Sequence, residues 1–139
     1  MKTNLHLGFT GKCDEAFSFY EKVFGTKRHM TMRYGEAPQG VPVPDGAKDL
    51  VMHTSMPVGN ITLMGADAPP GSGKPMGGFQ VCVEDQDQAT VKRLFDALSE
   101  GGSVYMPLAP TFWSPLFGMC TDKYGVGWMV SVPGQQPPA

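Results

Sequence analysis

Two histidines lie in stretches that could carry acid–base or metal chemistry. His6 lies in the alternating segment NLHLGFTG, and His53 lies in VMHTS, two residues before Ser55. A neutral imidazole can ligate a metal or accept a proton near physiological pH. His6 could equally be structural, held by hydrogen bonds within its strand, and for His53 a structural role is favoured over a pocket role. The choice depends on the face of the strand to which each side chain points.

Trp113 is the aromatic side chain best suited to a binding site. It follows Phe112 in a loop that runs from Pro110 to Pro115. Because proline fixes its own φ angle, prolines on both sides hold the loop rigid without helix or strand. An aromatic held in this way suits a pocket rim or a contact with a second copy, and core filling is an equal alternative. Trp128, which alternates with two valines, is predicted to lie in the core.

Sulfur-bearing residues are frequent in this chain. Ten methionines suit an adaptable apolar pocket, although chance enrichment of the core is the favoured explanation. The three cysteines are an odd number and form no C-x-x-C pair, which argues against a disulfide framework and a zinc site. Cys82 and Cys120 are predicted to be inert, buried thiols.

Composition excludes some partners. The net charge is −2 and the sequence has no basic stripe, so nucleic acid is not an expected partner. The longest apolar runs are far shorter than the ~20 residues that span a bilayer, and the N-terminus has no secretory pattern. We therefore expect a cytoplasmic protein that binds neither membrane nor nucleic acid.

Apolar periodicity predicts two modules of the same element order. Eighteen glycines and 13 prolines leave room for short elements, which favours many strands over long helices. Module one begins with a strand, NLHLGFTG, and a helix, CDEAFSFYEKVFG, that ends at Gly25. Three strands follow in KRHMTMRY and LVMHTSMPVGNITLMGA, and the last two are joined by a hairpin turn at Val58-Gly59-Asn60. In module two, FQVCVE is a strand, DQDQATVKRLFDALSEGG is a helix, and SVYMPLAP, LFGMCTD and GVGWMVSV are strands.

These elements predict an α+β fold and a single domain over residues 1–139. Module one covers about 3–66, a linker about 67–77, module two about 78–132, and a flexible tail 133–139. The apolar side chains of each first strand should pack under the helix, so His6, Gln80 and Cys82 should face a pocket. His6 and Gln80 are then predicted to occupy equivalent places. A one-residue shift of register would turn them all away.

The doubled module resembles the vicinal oxygen chelate superfamily, which includes glyoxalase I, bleomycin-resistance proteins and extradiol dioxygenases. The PhnB-like branch is the more similar one, through GKCDEAFSFYEKVFG, HTSMPVGNITLMGAD, RLFDALSEGGSVYMPL and TFWSPLFGMCTDKYGVGWMVS. The resemblance covers residues 4–132. It implies two tandem βαβββ modules forming curved mixed sheets around a concave pocket, with helices on the outer face, and often a homodimer.

The resemblance also implies a divalent metal held by His, Glu or Gln on strands one, four, five and eight. Such a metal holds two neighbouring substrate oxygens and stabilises the charge that develops on them. At these positions His6 and Gln80 are weak candidate ligands, whereas Met64 and Met129 stand on strands four and eight. Without a pocket-facing carboxylate on those two strands, a metal-poor pocket is expected, with a divalent metal as an unassigned option and no assured cofactor.

The expected function is therefore binding of a small, largely apolar or aromatic molecule. Candidate ligand-binding residues are His6, His53, Met64, Gln80, Trp113 and Met129. The alternative is a divalent-metal-dependent lyase, isomerase or dioxygenase acting on a vicinal-oxygen substrate, which needs a third ligand such as His53. A methyltransferase, a label that relatives carry, is rejected because neither strand-to-helix turn, FTGKCDE or VEDQDQA, has the glycine pattern of a nucleotide-type cofactor site.

Overall fold

The computed structural model describes residues 1–134, which divide into two compact units between Met76 and Gly77. Each unit contains one sheet of four strands and one long helix. The last five residues of the predicted flexible tail, 135–139, lie outside the described residues. No helix among residues 1–134 is long and apolar enough to span a bilayer.

The first unit has the predicted order of elements. These are β1 (Leu5–Phe9), α1 (Cys13–Phe24), β2 (Met30–Arg33), a 3-10 turn (Tyr34–Glu36), β3 (Val51–Val58) and β4 (Ile61–Asp67). The sheet has the order β1-β4-β3-β2, with β1 parallel to β4 and the other pairs antiparallel. The predicted hairpin turn is confirmed, since Val58 pairs with Ile61 across a loop in which Gly59 has a φ of 55°.

The second unit repeats this arrangement. Its elements are β5 (Val81–Glu84), α2 (Gln88–Ser99), β6 (Ser103–Ala109), β7 (Leu116–Thr121) and β8 (Gly127–Val132). The sheet has the order β5-β8-β7-β6, with β5 parallel to β8. The predicted α+β fold of two tandem βαβββ modules with mixed sheets is therefore confirmed.

Both helices pack one apolar stripe on their own sheet. In α1 the buried stripe is Cys13, Ala16, Phe17, Tyr20 and Val23, and in α2 it is Val91, Leu94, Phe95 and Leu98. The predicted glycine stop of α1 is confirmed: Gly25 adopts a left-handed φ of 62° and its N–H donates to the Glu21 carbonyl. Asp87 is the N-cap of helix α2, and its carboxylate accepts from the Thr90 N–H at 3.2 Å. One face of each sheet is thus covered by a helix, and we call the opposite face the helix-free face.

Candidate functional site

The helix-free face of the first sheet carries the two candidate histidines. In β1, Leu7 and Phe9 are buried whereas His6 and Gly8 are exposed, so the predicted register of this strand is confirmed. His6 pairs with Met64 of β4, and Met64 pairs with Ser55 of β3. Because side chains directly opposite each other in a sheet share a face, these three lie side by side. His53, two residues before Ser55 in β3, follows the same alternation.

The two imidazoles are close enough to influence each other. Partial desolvation of the His6 ring and, secondly, the charge that His53 can carry hold the pKa of His6 below its usual value of 6.5. His6 is therefore a neutral imidazole at physiological pH, which is the form that accepts a proton or ligates a metal. With Met64 beside it, this face presents nitrogen and thioether donors.

The helix-free face of the second sheet carries a cysteine where the first carries a histidine. Cys82 of β5 pairs with Met129 of β8, as His6 pairs with Met64. Cys82 is thus the residue of β5 that pairs with a methionine of the neighbouring parallel strand, and the predicted equivalence of His6 and Gln80 stays a prediction. Gln80 lies just before β5, because the pairing with β8 begins at Val81. Its side chain is exposed and lies beside Gly127.

The three thiols differ in their surroundings. The prediction that Cys82 is buried is wrong: it alternates with Val81 and is exposed, and its thiol donates to the Met129 sulfur at 3.6 Å. The burial predicted for Cys120 is confirmed. Burial and the negative charge of Asp122 raise the pKa of the Cys120 thiol to about 11, which makes it a poor nucleophile at neutral pH.

A pocket of about 320 Å³ lies on the helix-free face of the second sheet. Trp113 and Phe117 provide aromatic walls, and their rings meet edge to face with centroids 5.3 Å apart. The other lining residues are Cys82, Glu84, Ser114, Met129, Ser131, Val132, Pro133 and Gly134. The pocket thus combines rings and sulfur atoms with a carboxylate and hydroxyl groups.

A network of short hydrogen bonds holds Trp113 at the rim of this pocket. The Thr111 N–H donates to the Ser114 carbonyl at 2.9 Å, and the Ser114 N–H donates to the Thr111 hydroxyl at 3.0 Å. The Ser114 hydroxyl donates to the Val132 carbonyl at 2.6 Å, which ties the loop to β8. Gly134 packs so closely on the Trp113 carbonyl that a Cβ there would collide with it. Trp113 remains 46% exposed and Phe112 96% exposed.

The candidate residues divide between the two units. His6, His53 and Met64 belong to the first sheet, whereas Trp113 and Met129 line the pocket of the second. Sequence reasoning missed Glu84, Phe117 and the pocket role of Ser131. The alternation of β5 could have identified Glu84 as a pocket residue, because it lies two residues after Cys82 and therefore on the same face of the strand.

The donor atoms of each unit do not suit a hard divalent metal. Met64 and Met129 stand where the resemblance implies oxygen or nitrogen ligands, and thioether sulfur prefers soft ions. Within residues 1–134 no three His, Cys, Asp or Glu side chains are grouped closely enough to hold an ion. We therefore assign no step to a divalent metal.

Comparison with known proteins gives a consistent result. Residues 5–130 match the sequence pattern of the Glyoxalase/Bleomycin resistance protein/Dioxygenase superfamily. Protein YjdN of Escherichia coli strain K12 is 31% identical over 148 residues, covering 99% of each chain. Protein PA1353 of Pseudomonas aeruginosa has a crystal structure with a TM-score of 0.88 and 38% identity, covering 97% of this chain and 99% of that one. A Bacillus cereus PhnB protein, named as a candidate 3-demethylubiquinone-9 3-methyltransferase, has a TM-score of 0.77 and 25% identity, covering 95% and 99%.

Proposed function

The chain belongs to the Glyoxalase/Bleomycin resistance protein/Dioxygenase superfamily, and we propose that its second unit binds a small, largely apolar or aromatic molecule. The observation that carries the proposal is the pocket of about 320 Å³ on the helix-free face of the second sheet. Small-molecule sites commonly enclose about 300–1,000 Å³, so this pocket suits a compact ligand.

The side chains of the pocket favour a ring-shaped ligand. Trp113 and Phe117 already meet edge to face, which leaves ring surface available for a further aromatic contact. The flexible, polarisable side chain of Met129 adapts to the shape of an apolar molecule. Glu84 and Ser131 would orient the ligand through a hydrogen-bond donor on its edge.

The rigidity of the loop that carries Trp113 supports a role of this side chain in ligand binding. The hydrogen bonds of Thr111 and Ser114 fix the loop before any ligand arrives. A preformed site loses less conformational entropy on binding than a loop that must order itself. An exposed tryptophan held in place beside a pocket is therefore suited to recognition.

The first test uses N-phenyl-1-naphthylamine, a neutral aromatic probe that fluoresces on entering an apolar site. We expect saturable binding by the native protein and at least a tenfold weaker affinity in the Trp113→Ala variant, since an aromatic wall contributes on the order of 1–3 kcal/mol. Tyr105→Ala, which removes an exposed aromatic ring outside the pocket lining, is the matched control and should bind as tightly as the native protein. Equal affinity in both variants would place the probe elsewhere and refute the proposal.

We also propose that the chain forms a homodimer through β6 and the loop that follows it. β6 has a single neighbour in its sheet, β7, and edge strands readily pair with another chain. The large apolar side chains exposed there are Val104, Tyr105, Met106 and Phe112, together with Trp113 at the pocket rim. A second copy offers an identical edge, so that two β6 strands can pair about a two-fold axis and cover these side chains.

Other activities are not carried over to this chain. The metal-dependent lyase, isomerase or dioxygenase alternative requires a set of hard donors, and residues 1–134 contain no group of three His, Cys, Asp or Glu side chains that could hold an ion. The methyltransferase name of the Bacillus cereus relative is set aside, because both strand-to-helix turns lack the glycine pattern of a nucleotide-type cofactor site. The cytoplasmic location and the single-domain organisation stay predictions.

A further inference from the structure

A row of sulfur atoms crosses the helix-free face of the second sheet. Cys82 of β5 pairs with Met129 of β8, Met129 pairs with Met119 of β7, and Met119 pairs with Met106 of β6. Directly paired residues share one face of a sheet, so these four strands each present a sulfur side chain to the same face. Such a row provides adjacent soft donors on strands whose spacing the sheet fixes.

We propose that Cys82 and Met129, with Met119 as the third ligand, form a site for Cu(I). Thiolate and thioether ligands select Cu(I) over the hard divalent ions that oxygen donors bind. This inference goes beyond the small-molecule function proposed above and does not depend on it, although both use the same face.

The distance between the first two sulfur atoms fits a shared ion. The Cys82 Sγ and Met129 Sδ atoms are 3.6 Å apart. Metal–sulfur bonds are about 2.3 Å long, so two sulfurs bound to one ion at this separation subtend roughly 100° at the metal. A small adjustment toward the open angle of a three-coordinate ion requires only rotation of the flexible methionine side chain.

Met119 can complete the coordination. It lies opposite Met129 in an antiparallel pair, and the Cβ atoms of such pairs are about 4.5–5.5 Å apart. A methionine side chain of this reach can bring its sulfur to an ion held by Met129. Met106, on the next strand along, is 37% exposed and would shield the ion from one side.

Charge and proton balance are simple at this site. The thiol of Cys82 loses its proton to solvent as the Cu–S bond forms, so that the ion and the thiolate together are neutral and no atom changes oxidation state. A neutral centre is compatible with the apolar walls that Trp113 and Phe117 provide. Cys82 is the thiol that an ion can reach, because Cys13 and Cys120 are buried.

The test is an anaerobic titration of the reduced, metal-free protein with Cu(I) in the presence of bicinchoninate as a competing chelator. We expect one ion per chain, loss of that ion in Cys82→Ser, and at least a tenfold weaker affinity in Met129→Leu. Leucine keeps the size and apolarity of the side chain and removes the sulfur atom. Met32→Leu, in the first sheet, and Glu84→Gln, in the pocket, are the matched controls and should bind Cu(I) like the native protein.

Three results would overturn the proposal. If Met129→Leu bound Cu(I) as tightly as the native protein, the ion would be held by a bare thiol. If Glu84→Gln lost the ion, an oxygen atom of Glu84 would be a ligand. A copper X-ray absorption spectrum with an oxygen or nitrogen shell would likewise show that the ion is not held by sulfur alone. Met119→Leu, which lies outside the pocket lining, should weaken Cu(I) binding and bind N-phenyl-1-naphthylamine normally, which separates failure of the copper site from failure of the proposed ligand pocket.

Discussion

At the scale of single residues, the buried carboxylates of this chain serve the fold. Asp67 and Asp122 are almost fully buried, one in each unit, and each accepts three N–H groups. The donors to Asp67 are the backbone N–H groups of Gly11, Cys13 and Val51, and those to Asp122 are the backbone N–H groups of Tyr124 and Val126 and the Trp128 indole. The turn between β7 and β8, which begins at Asp122, is therefore held in place by this buried carboxylate.

The interaction between His6 and His53 predicts a change in proton affinity. Replacing His53 with Gln removes a like charge, so the pKa of His6 should rise toward 6.5. An NMR titration of the imidazole signals would measure this shift, with His29→Gln as a control that leaves the His6 pKa unchanged. A His6 pKa that stays the same in His53→Gln would show that desolvation alone lowers it.

The same shift sets the direction of the pH dependence. Since the pKa of His6 is lower in the folded than in the unfolded protein, the unfolded state binds the proton more readily. The contribution of His6 to the free energy of unfolding is fully present above pH 6.5, and it is lost as the pH falls through the pKa of His6 in the folded protein. His6→Gln should accordingly lose less stability than the native protein between pH 7 and pH 5.

At the scale of elements, the close approach of helix to sheet decides which strand positions tolerate a side chain. Gly65 of β4 lies under α1, where an added Cβ would collide with the ring of Phe17 and approach the sulfur of Cys13. Phe17 and Cys13 are fully buried, so a shift of either side chain would disturb its packed neighbours. The helix therefore sits at a distance that requires glycine at this point of the strand.

This contact predicts a large difference between two alanine substitutions in one sheet. Gly65→Ala should lower the free energy of unfolding by about 1–3 kcal/mol, the usual cost of overpacking a core. Gly8→Ala is the matched control, because a Cβ at Gly8 on the helix-free side of β1 has no atom within 4 Å. Urea unfolding of both variants measures the difference, and equal stability would mean that α1 shifts at little cost.

At the scale of the whole molecule, exposed apolar surface is concentrated on β6 and the loop after it. Tyr105 is 77% exposed and Phe112 is 96% exposed, whereas the apolar stripes of both helices are buried. Contiguous apolar surface of several hundred Å² on one side of a protein commonly marks a contact with another chain. This distribution underlies the proposal of a homodimer.

The proposed dimer predicts the effect of a charge on that surface. Tyr105→Glu should raise the dimer dissociation constant by at least tenfold, because it replaces an exposed aromatic ring of the proposed interface with a charge that would lose its hydration on association. Sedimentation velocity would measure the association state, with Lys92→Glu on the exposed side of α2 as the control. A native protein that sediments as a monomer, or a Tyr105→Glu variant that dimerises normally, would contradict the proposal.

The sequence by itself determined the order of elements and the inner faces of several strands. Period-two alternation placed His6 and Leu7 on different faces of β1 and placed Trp128 in the core. A glycine marked the end of α1. These features are predictable because they depend on residues that are neighbours along the chain. The resemblance of these sequence segments to a known superfamily predicted how the elements assemble into two βαβββ modules.

The tertiary structure alone decided which side chains meet. Cys82 touches Met129, 47 residues away, because β5 pairs with β8 in one particular register, and Gln80 falls just before the paired residues. Trp113 acquires its fixed position from Ser114 and the β8 backbone, a contact between distant segments. Local patterns specify faces, whereas strand register and loop closure depend on packing across the whole unit, and the pocket depends on both.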